Sequence, residues 1–380
     1  MTGAQQTHPT VTLVTTEQQL QHLERRLRAE ATLSIDTEFH AERRYYPQLL
    51  LLQVAAESGE AWIIDPLAVP PTALRPLLDN RAWVAHGAAN DLRVIHHACG
   101  ARPSALLDTQ LLAGLTGQPF PARLADLCRD VLGLAVDKSA VLEDWAKRPL
   151  PPHQLAYAAA DARLTRALSE GLLREAGARA AWAWAAGAEA IEEALNGPDT
   201  DLQWQQLEVA ARLDAPARSA ISALFAWREQ EAIEQNQQPH SILNNNIALD
   251  LARRRPTSLP DMARNRRLPA VLIKRHGADL LRVLQQASRS AAAVPGPTPT
   301  PASASIARLL TSWADAYAAE VGVAASLLLP EPLRQRFALG LSAGIEGWRA
   351  EAIGGRLDAF FSGAERLCFT PEGPRLRPAG

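Results

Sequence analysis

Over roughly the first hundred residues, apolar positions switch between two spacings. In Val11–Val14, Thr32–Phe39, Leu49–Ala55, Ala61–Asp65 and Ala82–His86 they alternate with polar residues or run continuously, which predicts strands. Between these lie Glu17–Ala29, Leu74–Leu78 and Ala89–Ala98, whose apolar residues recur three and four apart and predict helices, with Gly87 at a strand-to-helix turn. This interleaving predicts an α/β layered domain around a mixed sheet. Beyond about residue 105 the strand pattern ceases. Leu106–Thr116, Leu124–Leu132, Val141–Ala146, Gln154–Glu175 and Arg179–Leu195 are predicted helices, with Pro149, Pro151 and Pro152 marking a break before the fourth.

The triplet Asn196, Gly197 and Pro198 is a helix stop and closes a first domain at residues 1–198. Residues 201–289 are again helical, in short pieces broken by Pro216, Pro239, Pro256, Pro260 and Pro269, the size of a small bundle. The proline-rich stretch from Ala291 to Pro301 reads as a semi-rigid linker, assigned to 290–304. A last helical region occupies 305–370, with a less ordered tail from Pro371.

Composition narrows this picture only slightly. The chain has 380 residues, 47% of them hydrophobic, and a formal net charge of −2, so attraction to nucleic acid has to come from local patches. Cys99, Cys128 and Cys368 are scattered without metal-type spacing and read as small apolar residues in a reducing compartment. The N-terminus lacks a basic start and apolar run, and the longest apolar stretch, around Leu49–Leu52, is too short for a membrane span. A cytoplasmic protein with no membrane or obligate protein partner is the expectation.

Candidate chemistry begins with Asp36 and Glu38 in LSIDTEF. Side chains two apart on a strand share a face, and two carboxylates side by side call for a cation between them. Hard divalent cations take oxygen ligands of this kind. Asp91 falls in the first turn of a helix, where an acid also complements the helix dipole, and Asn90 beside it is a possible cap. Tyr157 and Asp161, in LAYAAADARLT, stand at i and i+4 on one helix face, separated by three alanines that leave that face unmasked. Each piece alone has an ordinary surface explanation; four carboxylates and a tyrosine in this order do not.

That order resembles the DEDDy subgroup of 3′→5′ exonucleases, and most closely the ribonuclease D family. DTEF followed by RRYYPQLLLLQVA is similar to the first exonuclease motif, and HGAANDL around Asp91 to the second. The family more often has a further acid or a serine where Ala89 and Asn90 stand. LDTQLLA (Leu107–Ala113), DKS (Asp137–Ser139), DWAKRPL (Asp144–Leu150) and YAAAD (Tyr157–Asp161) continue the likeness over most of residues 30–170. Arg212–Glu229 and Ile242–Pro256 resemble an HRDC domain, a helical nucleic-acid-binding bundle, and 305–370 is where the family carries a second, diverged copy.

The resemblance implies a ribonuclease H-like mixed-sheet exonuclease domain followed by all-α HRDC bundles. It implies a 3′→5′ exoribonuclease that releases 5′-mononucleotides and trims structured RNA such as tRNA precursors, using two divalent ions, Mg²⁺ or Mn²⁺. Asp36 would bridge both ions, Glu38 and Asp161 would complete the one that activates water, and Asp91 would serve the other. Tyr157 would orient the water.

His86, Gln110 and Lys138 lie in matched motifs, either touching substrate or serving as structural hydrogen-bond partners. Arg253, Arg254, Arg255, Arg264, Arg266, Arg267, Lys274 and Arg275, with Asp261 opposing them, form either an RNA track or a solvated basic face. Two other readings stay open: a Werner-type 3′→5′ DNA exonuclease, disfavoured by the absence of a G-x-x-x-x-G-K helicase loop, and a non-catalytic RNA-binding protein, disfavoured by five intact positions.

Overall fold

A computed structural model describes residues 11–136, 143–197, 200–205, 207, 213–289, 301–338, 345–371 and 373–379. By contacts the chain divides into two units: residues 1–40, 48–196 and 304–380 form one, and residues 41–47 and 197–303 the other.

The first unit is built on a six-stranded mixed sheet. Its strands are β1 (Thr12–Val14), β2 (Thr32–His40), β3 (Gln48–Ala55), β4 (Ala61–Ile64), β5 (Ala82–Ala85) and β6 (Ala105–Asp108), in the order β1-β4-β3-β2-β5-β6. β2 and β3 pair antiparallel, as do β3 and β4, while β5 and β6 continue the sheet in parallel. The alternation in β2 sorts its residues by face. Leu33 and Ile35 are buried in a cluster with Leu20 and Leu23 of α1 (Glu17–Arg26) and Leu92 and Ile95 of α3 (Ala89–Cys99), while a short helix, α2 (Arg75–Leu78), adds Leu77 and Leu78. Ser34, Asp36 and Glu38 take the opposite face.

That opposite face is covered by α6 (Pro152–Ala176), which follows α4 (Thr109–Leu115) and α5 (Leu124–Leu132). Ala158, Ala159 and Ala162 of α6 are fully buried against Leu51, Ala55 and Ile63, and the Ser34 hydroxyl donates to the Ala162 carbonyl at 2.8 Å. Small side chains let the helix sit low on the sheet. The alanines read from the sequence as an unmasked face are therefore the packing surface itself. β3 lies between two helical layers, which explains its nearly continuous apolar run.

α7 (Ala180–Leu195) closes the other side. A Cβ on Gly187 would lie 1.9 Å from the Leu106 carbonyl oxygen, so only glycine permits this helix-on-strand contact.

Three expectations are corrected. Leu106–Asp108, predicted as the start of a helix, is β6, and the helix begins at Thr109. Of the helix predicted at Val141–Ala146, residues 143–146 are non-helical and the rest lies outside the described residues. The region 305–370 does not stand apart as an all-α unit. Its first helix, Pro301–Val321, buries Leu310, Trp313 and Tyr317 in a cluster shared with Leu112, Leu115 and Ala183. The Ala324 amide donates to Gly114 at 2.7 Å, and Arg179 donates to Val321 at 2.7 Å. Its tail is a β-hairpin, Glu365–Thr370 with Gly373–Pro378.

The second unit is a helical bundle. α8 (Thr200–Gln205), α10 (Pro239–Ile242), α11 (Asn245–Arg254), α12 (Leu259–Ala263) and α13 (Ala270–Arg289) surround α9 (Ala215–Gln235) over Trp204, Leu224, Phe225, Leu251 and Leu280. Arg228 is buried with its guanidinium 3.8 Å from the Phe225 ring centroid and donates to Asn245 at 2.7 Å. Residues 41–47 join this unit: the Tyr45 hydroxyl donates to Glu229, and the Tyr46 amide donates to Asn236 at 2.9 Å. Among the described residues, no helix is long and apolar enough to cross a membrane.

Candidate active site

β2 carries Asp36 and Glu38 towards its C-terminal end, where a bulge between Glu38 and Phe39 breaks the register with β3. Asp91 enters in the first turn of α3, which starts from the positive-φ turn at Gly87. The Asp108 carboxylate accepts from the Gly87 and Ala88 amides, both at 2.9 Å, and so holds that turn. The Thr37 hydroxyl donates to Asp91, tying α3 to the strand that holds the other two acids. On α6, Tyr157 and Asp161 are hydrogen-bonded to each other, and the Tyr157 ring packs 6.2 Å from that of Trp145.

The structure thus brings together Asp36, Glu38, Asp91, Tyr157 and Asp161, the five residues that the family resemblance joined. Burial is the site's main electrostatic feature, with repulsion between the acids adding to it at Asp36 and Glu38. Burial, reinforced by the negative charges of Asp91, Asp161 and Glu38, holds the Asp36 carboxyl well above the usual range. Burial first, then Asp161 and Asp91, pushes Glu38 up to about 8. Asp91 is raised to about 7, chiefly by burial and against the Thr37 hydrogen bond, and Asp161 to about 6, again by burial. Burial and the neighbouring Asp161 also raise the Tyr157 phenol, which therefore stays protonated at neutral pH.

Four carboxylates gathered in a buried cluster, with no cation from the described residues among the charges acting on Asp36, are the oxygen donors a divalent ion takes. Asp36, Glu38, Asp91 and Asp161 would hold it. In the second unit, Glu231, His276 and Asp279 bring ligand atoms within 4.8 Å of one another. There Gln235 donates to Glu231 at 2.6 Å and Arg282 to Asp279 at 2.9 Å, so both carboxylates already have donors.

His86 and Gln110 sit inside the first unit's scaffold. His86 uses both ring nitrogens, Nδ1 with the Thr109 hydroxyl at 2.9 Å and Nε2 with the Ala122 carbonyl at 3.0 Å. The Gln110 amide donates to the same carbonyl at 3.1 Å. Lys138 lies outside the described residues. In the basic tract, Arg253, Arg254, Arg264, Arg266, Arg267, Lys274 and Arg275 are exposed. Asp250 pairs with Arg254 at 3.1 Å and with Arg267 at 3.6 Å, and Asp214 with Arg255 at 3.3 Å, so more acid opposes the tract than Asp261 alone. Thr37 and Asp108, which aim Asp91, were not singled out from the sequence; both lie inside matched motifs, Thr37 between the two acids of β2 and Asp108 two residues before Gln110.

A mixed sheet whose second strand, third helix and sixth helix converge four carboxylates and a tyrosine defines a 3′→5′ exonuclease. The 3′-5′ exonuclease family matches residues 11–176, and the HRDC domain matches residues 218–284. Ribonuclease D of Sphingobium indicum is 30% identical over 393 residues, covering 98% of each chain. That of Gluconacetobacter diazotrophicus is 33% identical over 265 residues, 68% of this chain and 67% of the relative. The chain belongs to the ribonuclease D family and is a 3′→5′ exoribonuclease dependent on divalent metal. Its fold matches the crystal structure of Escherichia coli RNase D with a TM-score of 0.80 at 24% identity, over 93% of this chain and 99% of that one.

Proposed function

We propose that the enzyme removes 5′-mononucleotides from the 3′ ends of structured RNA, tRNA precursors among them, by hydrolysis at a two-ion centre. The observation that carries this reading is the convergence of four carboxylates from β2, α3 and α6 on one buried cluster. Two divalent ions, Mg²⁺ or Mn²⁺, would activate the attacking water and stabilise the leaving 3′ oxygen of an in-line displacement. Asp36, central to the cluster and opposed by all three other acids, would be the ligand common to both ions. Glu38 and Asp161 would hold one ion, and Asp91, aimed by Thr37, would hold the other.

Tyr157 is a donor rather than a base. Its phenol stays protonated and is already hydrogen-bonded to Asp161, so it can orient the water beside that carboxylate. The exposed cations of α11, the segment after α12, and α13 give the HRDC unit a phosphate-facing surface. The relative whose fold matches over nearly its whole length is described as an exoribonuclease involved in structured RNA processing, which supports the substrate class.

A metal titration of hydrolysis on a 3′-extended tRNA tests the reading. Activity should vanish in chelator, return with Mg²⁺ or Mn²⁺ along a curve steeper than single-ion binding, and be absent in Asp36→Ala at every metal concentration. A hyperbolic return, or turnover by Asp36→Ala, would remove the two-ion assignment.

A further inference from the structure

β3 holds a residue with no place in the chemistry described so far. Gln53 is fully buried, and neither its side-chain nitrogen nor its side-chain oxygen has a hydrogen-bond partner among the described residues. A buried amide left unsatisfied forfeits its hydration without a replacement bond. Its neighbours along the strand, Leu51, Leu52, Val54 and Ala55, are apolar and equally buried, so a hydrophobic residue would suit the packing better.

Register places Gln53 directly opposite Asp36 on the adjoining strand. Directly opposed residues of an antiparallel pair share a face, with Cβ atoms about 4.5–5.5 Å apart, within reach of a glutamine amide and a carboxylate. Of the other polar side chains on this face of β2, Ser34 stands opposite Ala55 and already gives its proton to Ala162 at 2.8 Å, and Glu38 stands opposite Leu51. Asp36 is the one directly across from the Gln53 amide.

We infer that Gln53 is a positioning residue for the metal centre: its side-chain N–H, directly across the sheet from Asp36, would donate to the Asp36 carboxylate and orient it for metal binding. This rests on the two-ion reading above. With metal bound, a charged acceptor rewards the buried amide. Residues that orient a metal-ligating carboxylate in this way typically govern 10–100-fold in metal affinity.

Gln53→Met keeps length and volume while removing the amide, and Gln53→Leu is a second apolar replacement should the first fold poorly. Mn²⁺ binding, followed by calorimetry and by the paramagnetic resonance of free Mn²⁺, should weaken about 10–100-fold in Gln53→Met. The metal-free melting temperature should stay level or rise, because an unsatisfied buried group has been removed. In an Asp36→Asn background the same change should leave residual Mn²⁺ affinity unaltered. Wild-type Mn²⁺ affinity in both apolar variants overturns the inference, as does an equal loss with and without the Asp36→Asn change, which marks a general packing effect. If the wild-type protein itself binds fewer than two Mn²⁺ ions, the two-ion reading fails instead.

Discussion

Glu38→Gln should stabilise the metal-free protein at alkaline pH while abolishing its function. The folded-state carboxyl of Glu38 titrates near 8, against an ordinary value of 4.5. A group whose folded pKa is raised binds protons more tightly in the native state, so its stabilising contribution is present below pH 4.5 and is lost as pH climbs to about 8. At about 1.4 kcal/mol per unit, the window corresponds to about 3–5 kcal/mol. Asp91, titrating near 7, and Asp161, near 6, lose stability in the same direction over overlapping ranges.

Urea denaturation in EDTA from pH 5 to pH 9 would read this directly. The wild-type midpoint should fall with rising pH, the Glu38→Gln midpoint should fall much less, and the two curves should meet near pH 5. Added Mg²⁺ should restore the wild-type midpoint at pH 9 but restore little in the variant, which has lost a ligand. Parallel curves for the two proteins would refute the claim that burial, reinforced by Asp161 and Asp91, holds the Glu38 carboxyl protonated.

Tyr157→Phe should lower kcat at least about 100-fold, in keeping with the loss of a group that positions a reacting proton. Mn²⁺ and RNA affinity in that variant should be near wild type, and full turnover would remove its orienting role. Gly187→Ala should destabilise the first unit by about 3 kcal/mol or more, since the added Cβ meets the Leu106 carbonyl and backbone cannot step aside; a wild-type melting temperature would show that α7 can shift off β6. Exchanging Arg266 and Lys274 for glutamine should weaken RNA binding and flatten its salt dependence by about one unit of slope per charge removed. An unchanged slope would make the tract an ordinary solvated face.

Two pairs of the site were legible in spacing because their geometry is local, and the family resemblance joined Asp91 to them. A period of two places Asp36 and Glu38 together, a spacing of four places Tyr157 and Asp161 together, and neither depends on distant contacts. β6 escaped for the opposite reason. Leu106 and Leu107 form a short apolar run that periodicity cannot assign, and only parallel pairing with β5 makes it a strand.

The C-terminal helices show an amphipathic pattern but not what they cover, and their apolar face is satisfied by Leu112, Leu115 and Ala183, far away in sequence. The closing hairpin left a fainter trace in the turn at Gly373, whose φ of 119° favours glycine. Gln53 was visible as a polar residue inside the apolar run LLLLQVA, but its register against Asp36 was not.

The central claim is tested most directly by digesting matched RNA and DNA strands, each with a free or a blocked 3′ end, in Mg²⁺ with wild type and Asp36→Ala. The account predicts 5′-mononucleotides released from RNA with a free 3′ end, a blocked strand left intact, DNA degraded far more slowly, and no product with Asp36→Ala. Internal fragments, release from the 5′ end, DNA cut as fast as RNA, or hydrolysis by Asp36→Ala would contradict it.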